Sequence, residues 1–200
     1  MKLYYSPGAC SLSPHIVARE AGISIELDKI VQKKTQAGED FMTVNPKGYV
    51  PALRLDDGSI LTEGPAIVQY LADQKPASKL APAAGTMERY RLQEWLTFIG
   101  TELHKSFGPL FTPGTPDAVK ETAKANITKR LAYMNDQLAK RQFLLGDTFT
   151  VADAYAFTIL NWTNFVGMDL KAYPNLAAYS ARIAGRPKVQ EAMKAEGLLK

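Results

Sequence analysis

Tyr5-Ser6-Pro7-Gly8-Ala9-Cys10-Ser11-Leu12-Ser13 is the stretch on which the reading of the fold turns. Ahead of it, Lys2-Leu3-Tyr4-Tyr5 has the composition of a short strand. Behind it, Leu12, Ile16, Val17, Ala18 and Ala21 recur at helical spacing until Gly22. The Pro-Gly pair therefore turns a strand into a helix, and Cys10, the sole cysteine, stands at the junction. Unpaired N–H groups and the positive end of the macrodipole at a helix start favour an anion, so a thiol there ionises more readily. A lone cysteine by itself is more readily a small buried hydrophobe. Its place at the turn favours the reactive reading.

Outward from this stretch, Ile23 to Val31 alternates apolar and polar residues, which predicts a second strand joined to the first by a crossover helix. Residues 32–45 are polar and lysine-rich, with Phe41, Met42 and Val44 suggesting a short helix. Asn45-Pro46-Lys47-Gly48 is a turn by composition. Val50–Leu55 and Ser59–Leu61 read as a hairpin about Asp56-Asp57-Gly58. Pro51, lacking an N–H, belongs at the head or edge of its strand, in either peptide isomer. Thr62 fits the N-cap of a third helix, with Pro65 in its first turn. The order is βαβα followed by ββα, a small α/β layer.

Residues 74–86 are rich in Pro, Ala and Gly, and strand signals end there. A long helical period then runs from Met87 to Gly108-Pro109, and a second from about Asp117 to Arg141. Phe149-Thr150-Val151-Ala152-Asp153 has the form of a capping box with Asp153 in place of the usual Glu or Gln. The helix it opens is apolar nearly all round, hence buried. Tyr173-Pro174 and Arg186-Pro187 punctuate two last helices.

The chain has 200 residues, 46% hydrophobic and 22% charged, an ordinary globular composition. Its apolar runs are too short and interrupted for a membrane span. With no export signal and one thiol, the expected location is the cytoplasm. Residues 1–75 hold eight Lys/Arg against nine Asp/Glu, and residues 76–200 hold sixteen against eleven. The later basic residues are scattered among acids along helices, which reads as a solvated surface and not as a nucleic-acid interface. The histidines and the single cysteine are too widely separated for a metal site, so no metal is expected.

Ser13 gives Cys10 a Cys-x-x-Ser spacing, so a mixed disulfide formed at Cys10 would need an external thiol to resolve it. Backbone N–H groups at Glu63-Gly64, with the Glu63 carboxylate, suit the two ends of a zwitterionic ligand, although first-turn charge on the dipole explains them equally well. His15, among apolar neighbours, reads as structural, and position alone assigns His104 no role.

Five segments carry a resemblance over essentially the whole chain: Met1–Ser13, Val44–Leu53, Leu61–Ile67, Glu102–Phe107 and Phe149–Tyr155. In these the chain resembles bacterial beta-class glutathione S-transferases. The resemblance implies α/β plus all-α architecture: a thioredoxin-like glutathione-binding domain at 1–76 and an all-helical bundle at 85–200 that contributes the electrophile site, the glutathione transferase fold, as a homodimer. It implies that Cys10 lies beside the glutathione sulfur and can form a mixed disulfide with it. Val50, before a family cis-proline at Pro51, would pair its backbone with the glutathione main chain. Glu63 and Gly64 would hold the γ-glutamyl end, and Lys33 the glycyl end. His104 would approach the thiol and share catalysis with Cys10, with Glu102 and Thr97 among the glutathione contacts. Gly64 stands where many relatives have Ser, and Thr97 where some have Asn. The Phe149–Asp153 box matches a cap that serves folding.

The implied activity is conjugation of the glutathione thiolate, as co-substrate, to small apolar electrophiles in detoxification. Two other readings keep the fold: a glutathione-dependent disulfide reductase or reductive dehalogenase that attacks through Cys10, and a non-catalytic carrier of apolar ligands. Nucleic acid and membrane are not expected partners.

Overall fold

Lys2–Tyr5 (β1) is central in a sheet of order β2-β1-β3-β4. Glu26–Lys29 (β2) runs parallel to β1, with Leu3 opposite Leu27. Ala52–Arg54 (β3) pairs antiparallel on the other side, with Leu3 opposite Leu53, and Ile60–Thr62 (β4) pairs antiparallel with β3. β1 and β3 are interior strands, paired on both edges, and the alternating residues Leu3, Tyr4, Ala52 and Leu53 are all buried, so both faces of these strands are covered. Tyr4 and Ala52 share a face and pack with Phe41 and Val44 of the short helix α2 (Phe41–Val44), the Tyr4 and Phe41 rings 5.6 Å apart. Helix α1 (Leu12–Glu20) packs against α3 (Gly64–Gln74) and α9 (Pro187–Ala195).

This is the thioredoxin-like part of a computed structural model that describes residues 1–199. The chain forms two compact units: Met1–Ala81 with the chain from Ala184 onward, and Pro82–Ile183. Thus α9, which the sequence counts with the helical region, belongs with α1. The Arg186 guanidinium reinforces this through two hydrogen bonds to the Glu20 carboxylate, at 2.7 and 2.9 Å.

Three expectations change in the first unit. The second strand is shorter than Ile23–Val31, because α1 ends in a Schellman arrangement that takes Ile23: its N–H donates to Ala18 C=O at 2.8 Å across Gly22, whose φ is +66°. The hairpin strands likewise start later and end differently, at Ala52–Arg54 and Ile60–Thr62. Thr62 is not the N-cap of α3. It stays paired with Ala52 in the sheet, and Glu63 takes the cap position at φ +72°.

In the second unit, α4 (Met87–Phe98) starts from Thr86, whose hydroxyl accepts the Arg89 N–H at 3.2 Å. It continues into a π-helical turn, Ile99–His104, then a 3-10 turn, Lys105–Phe107, and a short helix α5 (Gly108–Phe111). Gly108-Pro109 therefore does not end the helical run. Pro109 occupies an early helical position, where its missing N–H is not needed, and the chain leaves the helix at Thr112.

Helix α6 spans Asp117–Gln137 and α7 spans Val151–Leu160. Every residue of α7 is buried, and each large side chain there contributes about 1.5–3 kcal/mol. The capping box forms: Asp153 Oδ2 accepts the Thr150 N–H at 2.8 Å and the Thr150 hydroxyl at 2.9 Å. The same carboxylate accepts Leu144 N–H at 2.8 Å and the hydroxyl of Tyr179, on α8 (Pro174–Ala184), at 2.9 Å. Burial pushes the Asp153 carboxyl up from the ordinary range, against the pull of these four hydrogen bonds.

Candidate functional site

The turn between β1 and α1 is held by its own backbone and by Ser11. Ala9 N–H donates to Ser6 C=O at 3.1 Å, and Leu12 N–H to Ala9 C=O at 2.9 Å. Ser11 Oγ accepts the Ser6 N–H and donates to the Ser6 carbonyl. Gly8 sits at φ +71°, where a side chain is disfavoured. Cys10 is half-buried just before the cap residue Ser11, and its thiol donates to Val50 C=O at 3.4 Å. Ser13 Oγ donates to the Cys10 carbonyl at 2.8 Å, so its proton is engaged by the backbone.

Across from Cys10, the Val50–Pro51 peptide is cis and leads directly into β3. Asn45, buried at 1% exposure, shapes the approach: its Nδ2 donates to Tyr49 C=O at 2.7 Å and its Oδ1 accepts Lys47 N–H at 3.2 Å. Gly48, at φ +72°, is a second position that needs glycine. A Cβ there would meet Met42 Sδ at 2.8 Å and would lie 3.7 Å from Lys33 Nζ. The Lys33 ammonium therefore lies beside the turn that presents Val50.

Glu63 has a backbone conformation that costs a non-glycine residue about 1–3 kcal/mol. Its Oε1 accepts Lys47 Nζ at 2.6 Å and the Tyr49 hydroxyl at 2.9 Å, while Lys47 Nζ also reaches Thr62 Oγ1 at 2.9 Å. The hydrogen bond to Glu63 raises the pKa of both Lys47 and Tyr49. Gly64 begins α3 and is buried; a Cβ there would stand 4.0 Å from Pro51 Cγ, an ordinary contact.

The turn of Cys10 is also tied to the far end of the chain. Gly8 N–H donates to Glu196 Oε2 at 3.0 Å, and Glu196 Oε1 lies 2.9 Å from His15 Nδ1. Both side chains are fully buried. Arg19 Nε donates to His15 Nε2 at 3.4 Å, which leaves Nδ1 to donate to Glu196.

Thr97, Glu102 and His104 belong to the second unit. Thr97 is an exposed residue of α4, and its carbonyl accepts the Thr101 hydroxyl at 3.0 Å. Glu102 and His104 ride on the π-helical turn, a form that recurs at functional sites. Arg130 holds Glu102 Oε2 through Nε at 3.0 Å and through Nη2. His104 Nδ1 lies 2.6 Å from the Tyr155 hydroxyl, and its ring meets Trp162 edge to face at 4.8 Å. Burial, with the positive Lys105 alongside, lowers the His104 pKa to about 4, so the ring is neutral near pH 7. Phe107 and Phe111 extend this aromatic cluster, each packing on Trp162.

In the first unit, then, Cys10, Val50 and Pro51 converge, with Lys33 and Glu63 on the loops around them and Gly64 at the start of α3. Sequence reasoning missed Lys47, Tyr49, Glu196 and Tyr155. Lys47 and Tyr49 carried one local signal, their place within the Asn45–Val50 turn. Glu196 and Tyr155 had none, because their partners are remote in the chain. Among the described residues no group of three His, Cys, Asp or Glu side chains is arranged to hold a metal ion, and no helix is long and apolar enough to cross a membrane.

Two family models match this chain: the glutathione S-transferase N-terminal domain over residues 8–74 and the C-terminal domain over residues 98–187. A glutathione S-transferase of Escherichia coli O157:H7, GstA, is 48% identical over 200 residues, covering 99% of this chain and 100% of its own. A sphingomonad glutathione S-transferase solved in complex with glutathione is 53% identical, with a TM-score of 0.96 and coverage of 100% of both chains. The beta-class transferase of Sphingomonas chungbukensis is 52% identical, with a TM-score of 0.97 and the same full coverage. With matched domains at both ends and full-length relatives near half identity, the chain belongs to the glutathione S-transferase family and resembles its bacterial beta class.

Proposed function

We propose that this protein binds glutathione through its thioredoxin-like unit and joins its sulfur to an electrophilic carbon of small apolar compounds, with the helical unit, Pro82–Ile183, contributing to recognition of the electrophile. The observation that carries this reading is the convergence at Cys10: a turn-borne thiol 3.4 Å from the carbonyl of Val50, at the mouth of a cis-proline strand. An extended peptide laid beside Val50 would extend the sheet by main-chain pairing, with its sulfur at Cys10. Glu63, held by Lys47 and Tyr49, and the N–H groups opening α3 suit the ammonium and carboxylate of the γ-glutamyl end. Lys33 suits the glycyl carboxylate. The glutathione-bound sphingomonad relative supports the same ligand here.

In the reaction, the glutathione thiolate attacks the carbon, a carbon–sulfur bond forms, and a leaving group such as halide departs with the electron pair. The protein holds the nucleophile as thiolate and fixes its position. The aromatic cluster of Phe107, Phe111 and Trp162, with Phe111 47% exposed, suits an apolar electrophile. Cys10 forms a mixed disulfide when its thiolate attacks oxidised glutathione and expels one glutathione thiolate.

The physiological setting of this reading is detoxification in the cytoplasm by a homodimer. Met87, Tyr90 and Tyr133 on α4 and α6 are exposed large apolar side chains available to a second copy.

The reductase reading draws no support from Ser13, whose hydroxyl is committed to the Cys10 carbonyl. The deciding experiment is glutathione conjugation to a chloronitrobenzene by the purified protein, compared with its Cys10→Ala variant. Retained conjugation with loss of the reductant-sensitive glutathione adduct supports the transferase. Neither glutathione binding nor conjugation by the parent protein would sink it in favour of a carrier.

A further inference from the structure

The turn from Asn45 to Val50 sends two side chains to one carboxylate oxygen. Asn45 is buried and grips the turn from inside: its Nδ2 donates to Tyr49 C=O at 2.7 Å, and its Oδ1 accepts Lys47 N–H at 3.2 Å. Lys47 and Tyr49 are thereby fixed through their backbone, and both reach Glu63, whose Oε1 accepts Lys47 Nζ at 2.6 Å and the Tyr49 hydroxyl at 2.9 Å. A carboxylate oxygen offers about two lone-pair directions, so the chain's own donors fill those of Oε1. One of these donors is a primary ammonium, the same group that a γ-glutamyl ligand carries on its α-carbon. The Lys47 and Glu63 side chains are 46% and 52% exposed, so this is a pair that an incoming cation can exchange. Tyr49 is a neutral donor and can stay in place during the exchange.

We propose that Lys47 is an internal stand-in for the ligand's ammonium, holding Glu63 until the γ-glutamyl ammonium takes its place. This rests on the reading that Glu63 binds that ammonium. The Glu63 carboxylate then keeps a cationic partner throughout, and Thr62 Oγ1, which accepts Lys47 Nζ at 2.9 Å, remains as a partner for the displaced lysine. Selection follows from the exchange. A ligand with a free α-ammonium replaces the contact it breaks, whereas a ligand without one leaves Lys47 where it is and gains nothing from Glu63. Lys47 thus lowers the affinity for glutathione and narrows its advantage over a deaminated analogue.

The test is calorimetric titration of the parent protein, Lys47→Met and Glu63→Gln, under a phosphine reductant that keeps Cys10 free of adducts. The probes are glutathione and glutaryl-cysteinylglycine, which keeps the γ-glutamyl carboxylate and lacks the ammonium. Lys47 is an exposed residue, so Lys47→Met should fold as the parent does. It should bind glutathione about two- to five-fold more tightly, the scale of one exposed ion pair, and bind the deaminated probe with parent affinity. Glu63→Gln should weaken glutathione towards the affinity of the deaminated probe. Weaker glutathione binding by Lys47→Met overturns the proposal, because Lys47 would then be holding the ligand. Unchanged binding overturns it too, as does an equal shift for both probes, which reports a general change of charge. If Glu63→Gln binds glutathione as the parent does, the reading of Glu63 fails and the proposal falls with it. If Glu63→Gln weakens glutathione but Lys47→Met does not tighten it, that reading stands and the proposal alone fails.

Discussion

The Gly8 amide donates a 3.0 Å hydrogen bond to Glu196 Oε2, so a carboxylate 188 residues downstream holds the turn that carries Cys10. The other oxygen of Glu196 takes His15, and the side chains of both residues are shielded from solvent. Removing this carboxylate leaves the Gly8 N–H and the His15 Nδ1–H without it in a buried setting. Glu196→Ala should lower unfolding free energy by about 3 kcal/mol and raise KM for glutathione, read by urea denaturation and steady-state kinetics. Unchanged stability would mean that the turn does not depend on this contact.

Asp153 receives four hydrogen bonds, from Leu144, twice from Thr150, and from Tyr179. Asp153→Ala strips a buried cap and orphans all four donors at once. The expected loss is about 4 kcal/mol, with poor refolding yield, and the measurement is denaturant unfolding together with recovery after dilution. Thr150→Ala removes one donor and one cap member and should cost about 1 kcal/mol.

His104 carries a pH signature. Its folded-state pKa is about 4, below the ordinary value of 6.5, with burial as the main cause and Lys105 second. Between these values the unfolded chain binds more protons, so folding stability rises with pH there. The contribution is fully present above 6.5 and is lost as pH falls towards 4, up to about 3 kcal/mol. Unfolding measured across this window should be steeper in pH for the parent than for His104→Gln. Equal slopes would refute the depressed pKa.

Gly64 offers a gain of function. Its φ is not in the left-handed region, and a Cβ would stand in ordinary contact with Pro51, so Gly64→Ser should fold normally. The added hydroxyl, at the residue that follows Glu63, should lower KM for glutathione about three- to ten-fold with kcat nearly unchanged. A raised KM would argue that the γ-glutamyl end does not lie at Gly64.

Local chemistry made much of this protein legible in the sequence. The Pro-Gly turn at Cys10, the Asp-Gly hairpin and the Thr150–Asp153 cap are short-range devices, whose signals lie within a few residues. Alternation and helical period placed the α/β layer ahead of the helical region. The misjudged boundaries share one cause: a residue can serve two elements, and only the assembled neighbours choose. Thr62 could cap α3, yet pairing with Ala52 keeps it in the sheet and passes the cap position to Glu63. Ile23 has strand pattern, yet its N–H closes α1.

By itself, the sequence determined the main strands and long helices, their order, and the chemical types available at the candidate site. Only the tertiary structure decided which of those groups meet: Cys10 with Val50, Glu63 with Lys47 and Tyr49, Glu196 with Gly8 and His15, and Tyr155 with His104. The physical reason is that hydrogen bonds and burial act over a few ångströms of space and are indifferent to separation along the chain. A strand-to-helix turn can announce its own geometry. The carboxylate that fixes it from the other end of the chain becomes visible only when the chain is folded.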